Sequence, residues 1–222
     1  MNSADNYYIQ DQLNYTKSPQ TRPGWKRRYD FAIQHLSKQD IVLDCACGIG
    51  EGTHMIAQHC TKVVGMDIDT HFIDYCRAEW PNIQFICHDA ARRLPFDNES
   101  FTAVVSLETL EHLPSRNMVH AALTNFHRIL KPGGLLIASV PNTGHTAPPP
   151  AAQRLKLLIL RLFGSVIKKQ TRWHEHYHFW DAEGFERILR RHFSVVSVYG
   201  EWVEGVSQNT EGAPYLIARA KK

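Results

Sequence analysis

The run Ile41-Val42-Leu43-Asp44-Cys45-Ala46-Cys47-Gly48-Ile49-Gly50-Glu51-Gly52-Thr53 ends its apolar segment in an acid, Asp44, and then sets three closely spaced glycines before a helix-like segment. A strand buried on both faces reads as continuous apolar residues, and glycines past its carboxyl end let the backbone approach a ligand without a Cβ in the way. Such a turn suits a nucleotide, with something flat and polar resting on Gly48 and Gly50. Its spacing argues against two common variants. A phosphate-gripping loop needs GxxxxGK followed by Ser or Thr, and no lysine follows these glycines. A dinucleotide turn needs GxGxxG, whereas Gly48, Gly50 and Gly52 recur at every second position and Asp44 would repel phosphate. An acid in the loop fits a cationic or amine-bearing ligand better.

More acids follow at matching places. Lys62-Val63-Val64-Gly65-Met66-Asp67-Ile68-Asp69 is a second apolar run ending in carboxylates, about twenty residues past the glycines, where Asp67 can accept both hydroxyls of a ribose. Ile83-Gln84-Phe85-Ile86-Cys87-His88-Asp89-Ala90 repeats the form, and Asp89 can accept from an adenine amino group. Phe101-Thr102-Ala103-Val104-Val105-Ser106-Leu107-Glu108 is a fourth run, and Leu130 to Asn142 contains a fifth after a Pro-Gly-Gly turn.

The elements that must hold these residues alternate. Helices are expected over 53–60, 70–80, 117–130 and 181–193, with a further one beginning at Lys26. Strands alternating with amphipathic helices imply a mostly parallel sheet covered on both faces, a doubly wound α/β fold. Ser194 to Gly200 and Pro214 to Ala220 add two strands with no helix between them, so the last strand should run antiparallel. That makes seven strands. The chain has 222 residues, 43% of them hydrophobic, enough for one substantial core and short for two. One domain over 1–222 is expected, with a cap over 1–35 and an inserted lid or substrate segment over 143–180.

A net charge of +3 permits an anionic partner without requiring one. No run is apolar enough to span a bilayer and the first residues are polar, so a cytoplasmic protein is expected. Its five cysteines are read as reduced core residues and not as disulfides or a zinc knuckle.

The order and spacing of these segments from about Arg28 to Asn142 resemble the class I S-adenosylmethionine-dependent methyltransferases, whose first motif is an apolar strand, an acid and GxGxG. Ala46 stands here at the first glycine, one small residue for another. The resemblance implies S-adenosylmethionine as cofactor, held by Asp44, Ala46, Gly48, Gly50, Asp67, Ile68, Asp89, Ala90 and Leu107. Arg28, in an RY-like pair on a helix over the cofactor, would reach the methionine carboxylate.

Glu108-Thr109-Leu110-Glu111-His112 leaves the fourth strand beside the place of methyl delivery. This ExxEH group resembles that of demethylubiquinone O-methyltransferases and small-RNA terminal 2′-O-methyltransferases, in which such side chains hold magnesium with a histidine from a later loop. His176, within Trp173-His174-Glu175-His176-Tyr177-His178, matches that histidine best. The resemblance thus offers Glu108, Glu111, His112 and His176 as metal ligands, against the alternative that His176 or His112 is a direct general base, with Glu108 orienting it.

The implied reaction is O-methylation of a small or lipid-like acceptor, either a sugar hydroxyl, as in saccharide-tailoring relatives, or a phenolic quinone precursor. RNA methylation, N-methylation and a cofactor-binding protein without activity remain as alternatives. Nucleic acid is the less expected partner, since no run of aromatic and basic residues is evident for stacking bases. The basic, apolar segment 151–169 reads as a helix that serves as lid, peripheral membrane contact or dimer face.

Overall fold

The computed structural model describes residues 9–10, 13–14, 18, 22–143 and 176–222. The helix expected over 151–169 lies outside the described residues. In chain order the elements are α1 (Arg22–Gln34), β1 (Ile41–Cys45), α2 (Glu51–His59), β2 (Lys62–Asp67), α3 (Thr70–Glu79), β3 (Gln84–Cys87) and β4 (Phe101–Leu107). A 3₁₀ turn (Leu110–His112) is followed by α4 (Arg116–Ile129), β5 (Leu130–Pro141), α5 (Ala182–Leu189), β6 (Val195–Glu201), β7 (Val206–Ser207) and β8 (Tyr215–Lys221).

Strands β3-β2-β1-β4-β5-β8-β6-β7 lie side by side in that order. The pairs from β3 to β5 are parallel, and β8 runs antiparallel to both β5 and β6. The seven expected strands are present, and the sheet gains an eighth. After β6 the chain turns through Trp202 and Gly205, which exchange backbone hydrogen bonds at 2.7 and 3.3 Å, and Gly205 takes φ 151. The two residues of β7 then pair with Gly200 and Glu201. A strand of that length has no alternation to read in a sequence.

Adjacent residues of each central strand feed opposite layers, as a pleated strand requires. Leu43, Val104, Leu136 and Leu216 pack with Leu123 and Phe126 of α4 and Phe185 of α5. Val42, Val105, Ile137 and Ile217 pack with Tyr29, Phe31 and Ala32 of α1 and Ile56 of α2. Helix starts are set by side-chain caps: Asp69, Ser115 and Asp181 accept from the backbone amides of His71, Met118 and Gly184. Helix α1 begins at Arg22, ahead of the expected Lys26, because Pro23 falls in the first turn, where its missing amide is no loss. All five cysteines are free thiols; Cys45, Cys47, Cys60 and Cys76 are buried and Cys87 is exposed. No described helix is long and apolar enough to cross a membrane.

Strand order reverses between β1 and β4. In an open parallel sheet a ligand crevice forms outside the carboxyl ends at such a point.

Candidate active site

A cavity of about 990 Å³ opens there, walled by the segments that follow β1, β2, β3 and β4 together with α1, Tyr177 and Tyr215. The turn after β1 is made by left-handed residues: Ala46 at φ 65, Gly48 at φ 53 and Gly50 at φ 80. The amides of Ala46 and Cys47 both donate to the Met66 carbonyl, at 2.7 and 3.0 Å, tying the turn to β2. Asp67 completes the tie. Its Oδ2 accepts from the Gly48 amide at 2.9 Å and its Oδ1 from the Asp69 amide at 3.0 Å. Burial pushes its carboxyl up to about 6, against the pull of those two amides.

Ala46, Gly48, Asp67, Ile68, Asp89, Ala90, Leu107 and Glu108 all line the cavity. Ile68 is 54% exposed, an uncommon state for an isoleucine beside a buried acid. With Ala90 it gives the wall an apolar surface next to the Asp67 carboxylate, the combination that a purine on a ribose needs. The residues present therefore fit an adenosyl group. Asp89 accepts from the Ala91 amide at 2.8 Å.

Two expected contacts are differently placed. Asp44 does not line the cavity: it is fully buried in the α1 and α2 layer, where Oδ2 accepts from Thr53 Oγ1 at 2.6 Å and Oδ1 from the Tyr29 hydroxyl at 3.4 Å. Burial raises its carboxyl to about 7. It braces the turn from behind, because β1 is covered on both faces and Asp44 shares its face with Val42. Gly50 also points away from the cavity; a Cβ there would meet Cys76 Sγ at 2.8 Å and Trp80 at 2.9 Å.

Glu108 ends β4 at φ 53, a strained conformation for a residue with a side chain. Its amide donates to the Ser139 carbonyl and hydroxyl oxygens, each at 3.1 Å, and Ser139 Oγ donates to Glu108 Oε1 at 2.8 Å. Burial raises its carboxyl, while Arg28 and Ser139 lower it in part. In the following 3₁₀ turn Glu111 is 0% exposed, and neither of its carboxylate oxygens has a hydrogen-bond partner among the described residues. Burial, then the charge of Glu108, holds its carboxyl well above the ordinary range.

Residues 176–178 return to this turn by backbone pairing, with the Tyr177 and His178 amides donating to the Glu111 carbonyl at 2.7 and 3.3 Å. The rings of His112 and His176 consequently meet edge to face, 4.9 Å apart. Both line the cavity. One ligand atom each of Glu111, His112 and His176 lies within 4.8 Å of the others. Glu108 is outside this group, so the four-ligand set expected for a metal is reduced to three; its carboxylate is turned to Ser139 instead.

Arg28 lines the cavity, 2% exposed, with Nη1 donating to Glu201 Oε2 at 2.6 Å. Glu201 was no sequence candidate. Its signal was available, since it is an acid closing an apolar strand, like Asp67 and Asp89. Tyr215, against Arg28, is a start-of-strand aromatic with no such signal.

Residues 42–134 match the family model described as a methyltransferase domain. A probable S-adenosylmethionine-dependent methyltransferase of Mycolicibacterium smegmatis is 31% identical over 121 residues, 53% of this chain and 46% of that protein. The chain thus spans less than half the length of that relative. A demethylmenaquinone methyltransferase of Staphylococcus epidermidis is 27% identical over 74% of this chain and 69% of its own length. Among solved structures, a Thermotoga maritima S-adenosylmethionine-dependent methyltransferase, possibly acting on histamine nitrogen by its description, superposes with TM-score 0.71 at 15% identity over 97% of this chain and 96% of its own. That likeness establishes the fold.

Proposed function

We propose that this chain is a class I S-adenosylmethionine-dependent methyltransferase and that it catalyses methyl transfer to an oxygen of a small or lipid-like acceptor. The observation that carries the reading is the meeting of two imidazoles, His112 and His176, in the same cavity as the Gly48–Asp67 cradle. When bound, S-adenosylmethionine supplies a methyl group on a positively charged sulfur that departs as a neutral thioether.

The rest falls to the chain's own residues. Asp67 accepts the ribose hydroxyls, Ile68 and Ala90 bracket the adenine, Asp89 accepts from its amino group, and Arg28 meets the amino-acid carboxylate. Positioning of acceptor, methyl carbon and sulfur in line can supply a large share of the rate. His176 takes the acceptor proton on a ring nitrogen, with His112 as its neighbour.

A second reading is favoured by one observation: the buried Glu111 carboxylate makes no hydrogen bond among the described residues, yet its Oε1 lies 3.8 Å from His112 Nε2 and the group is within reach of His176 as well. Those three side chains would hold a divalent ion that orients the acceptor oxygen. Two nitrogens and one carboxylate suit manganese or zinc better than magnesium, which prefers oxygen.

For the acceptor, the staphylococcal relative and the Trp25, Met118, Tyr177 and Tyr215 side chains of the cavity wall support a phenolic or quinone-like compound over a sugar. A lipid-like acceptor would also give residues 151–169 a membrane surface to meet.

The test is a mass-spectrometric assay of the purified protein with S-adenosylmethionine and a panel of polyprenyl phenols, catechols and nucleotide sugars, before and after chelation. A phenol heavier by one methylene, with S-adenosylhomocysteine formed, is the expected result. Methylation of an amine or an RNA end in its place would overturn O-methylation, and loss of product on chelation would move the roles of Glu111, His112 and His176 to the metal.

A further inference from the structure

Glu201 ends β6 at 1% exposure, and its two oxygens are divided between neighbouring arginines of α1. Oε2 accepts from Arg28 Nη1 at 2.6 Å and Oε1 from Arg27 Nη2 at 3.2 Å. On its other side the Arg28 guanidinium lies over the ring of Tyr215, 4.3 Å from the centroid. Three elements distant in sequence, α1, β6 and β8, thus converge on one cation. Backbone space is kept for the contact: a Cβ on Gly24 would come 3.1 Å from Glu201 Oε1.

A buried pair of this kind contributes little net stability once the desolvation of both charges is counted. What it does fix is direction. A guanidinium presents its donors in one rigid plane, so a carboxylate gripping one nitrogen and an aromatic ring under the face together set where the remaining donors point. Glu108, on the cavity wall, feels the Arg28 charge as well as that of Glu201. The cation thus has one carboxylate in direct contact, Glu201, and acts on the charge of a second, Glu108.

We propose that Glu201 is a positioning residue for cofactor recognition, holding the Arg28 guanidinium in the orientation that grips the amino-acid carboxylate of S-adenosylmethionine. The inference rests on the reading above, in which the cavity takes that cofactor and Arg28 meets its carboxylate. A purely structural clamp of α1 onto the sheet is the competing role, and the two roles differ in which part of a ligand they affect.

Two ligands separate them. S-adenosylhomocysteine carries the carboxylate; 5′-methylthioadenosine has the same adenine, ribose and thioether without the amino-acid end. Titration calorimetry of Glu201→Gln against wild type is expected to show affinity for S-adenosylhomocysteine reduced about tenfold or more, the loss of a charge-assisted contact, with 5′-methylthioadenosine binding as in wild type. Equal loss for both ligands, or no loss for either, would overturn the inference while leaving the cofactor reading intact. A wild-type protein that binds neither ligand overturns both. Should Glu201→Gln fail to fold, Gly24→Ala repeats the comparison, because its methyl would stand 3.1 Å from Oε1 and shift the carboxylate by a few tenths of an ångström without removing its charge; a smaller loss, again confined to S-adenosylhomocysteine, is expected, and equal or no loss for the two ligands would overturn the inference.

Discussion

His176 is carried to the cavity by the backbone pairing of Tyr177 and His178 with Glu111, so its side chain can be removed without disturbing the cradle formed by Gly48 and Asp67. His176→Ala is expected to lower kcat by roughly a hundredfold or more, as loss of a general base does, with the dissociation constant for S-adenosylhomocysteine unchanged by calorimetry. Parallel loss of both would make the residue structural. Asp44 gives a second expectation, one of stability. Its folded carboxyl is raised to about 7, above the ordinary value of about 3.9. The stabilisation it brings is therefore full below about pH 4 and is lost as pH rises through 7, where the buried carboxyl must ionise. Asp44→Asn keeps an oxygen for the Thr53 and Tyr29 hydroxyls and carries no charge. Thermal melts should find the variant more stable than wild type at pH 8 and the difference gone near pH 4; a constant difference across that range would refute the assignment. At this scale the sequence was legible for Asp67, an acid at a strand end, and misleading for Asp44, an acid one pleat earlier that the double covering of β1 turns inward.

Helix α1 meets α2 at Gly52, where an added Cβ would stand 1.9 Å from Cζ of Tyr29. The three glycines of the turn consequently answer three separate demands: Gly48 faces the ligand, Gly50 turns against α3, and Gly52 admits α1. Arg28 and Tyr29 are neighbours on α1 and both line the cavity, so a shift of α1 at this contact would move the cation as well. Gly52→Ala should lower unfolding free energy by about 2–3 kcal/mol, the usual scale of an overpacked core, measured by urea denaturation. It should weaken S-adenosylhomocysteine as well, since α1 must shift. Normal stability with normal binding would show that α1 is free to move. The strands of this fold were readable because burial on both faces leaves mostly apolar runs in β1, β2 and β4, with polar residues few or at the ends. The two-residue β7 and the pairing of Tyr177 with Glu111 were not, since neither leaves a periodic trace and the second joins segments far apart in the chain. The Glu111–His112–His176 grouping was partly readable, as an ExxEH run and a later histidine, but the turning of Glu108 to Ser139 needed coordinates.

The cavity draws its wall from α1, from the segments after β1, β2, β3 and β4, from Tyr177 and from the start of β8. Those elements belong to both core layers, and a ligand touching all of them is linked to the global unfolding of the molecule. Linkage then fixes the size of the effect. A ligand at a hundred times its dissociation constant, bound to the folded state alone, adds about 2.7 kcal/mol. A domain of this size gains about 2–4 °C in Tm per kcal/mol, so S-adenosylhomocysteine at that excess should raise Tm by roughly 5–11 °C. A nicotinamide dinucleotide should give no shift, because the turn lacks GxGxxG spacing and Asp67 already holds the Gly48 amide. Scanning calorimetry with each ligand decides the matter. A shift with the dinucleotide and none with S-adenosylhomocysteine would mean that the cradle reads phosphate, and that Ile68 is bare for another reason.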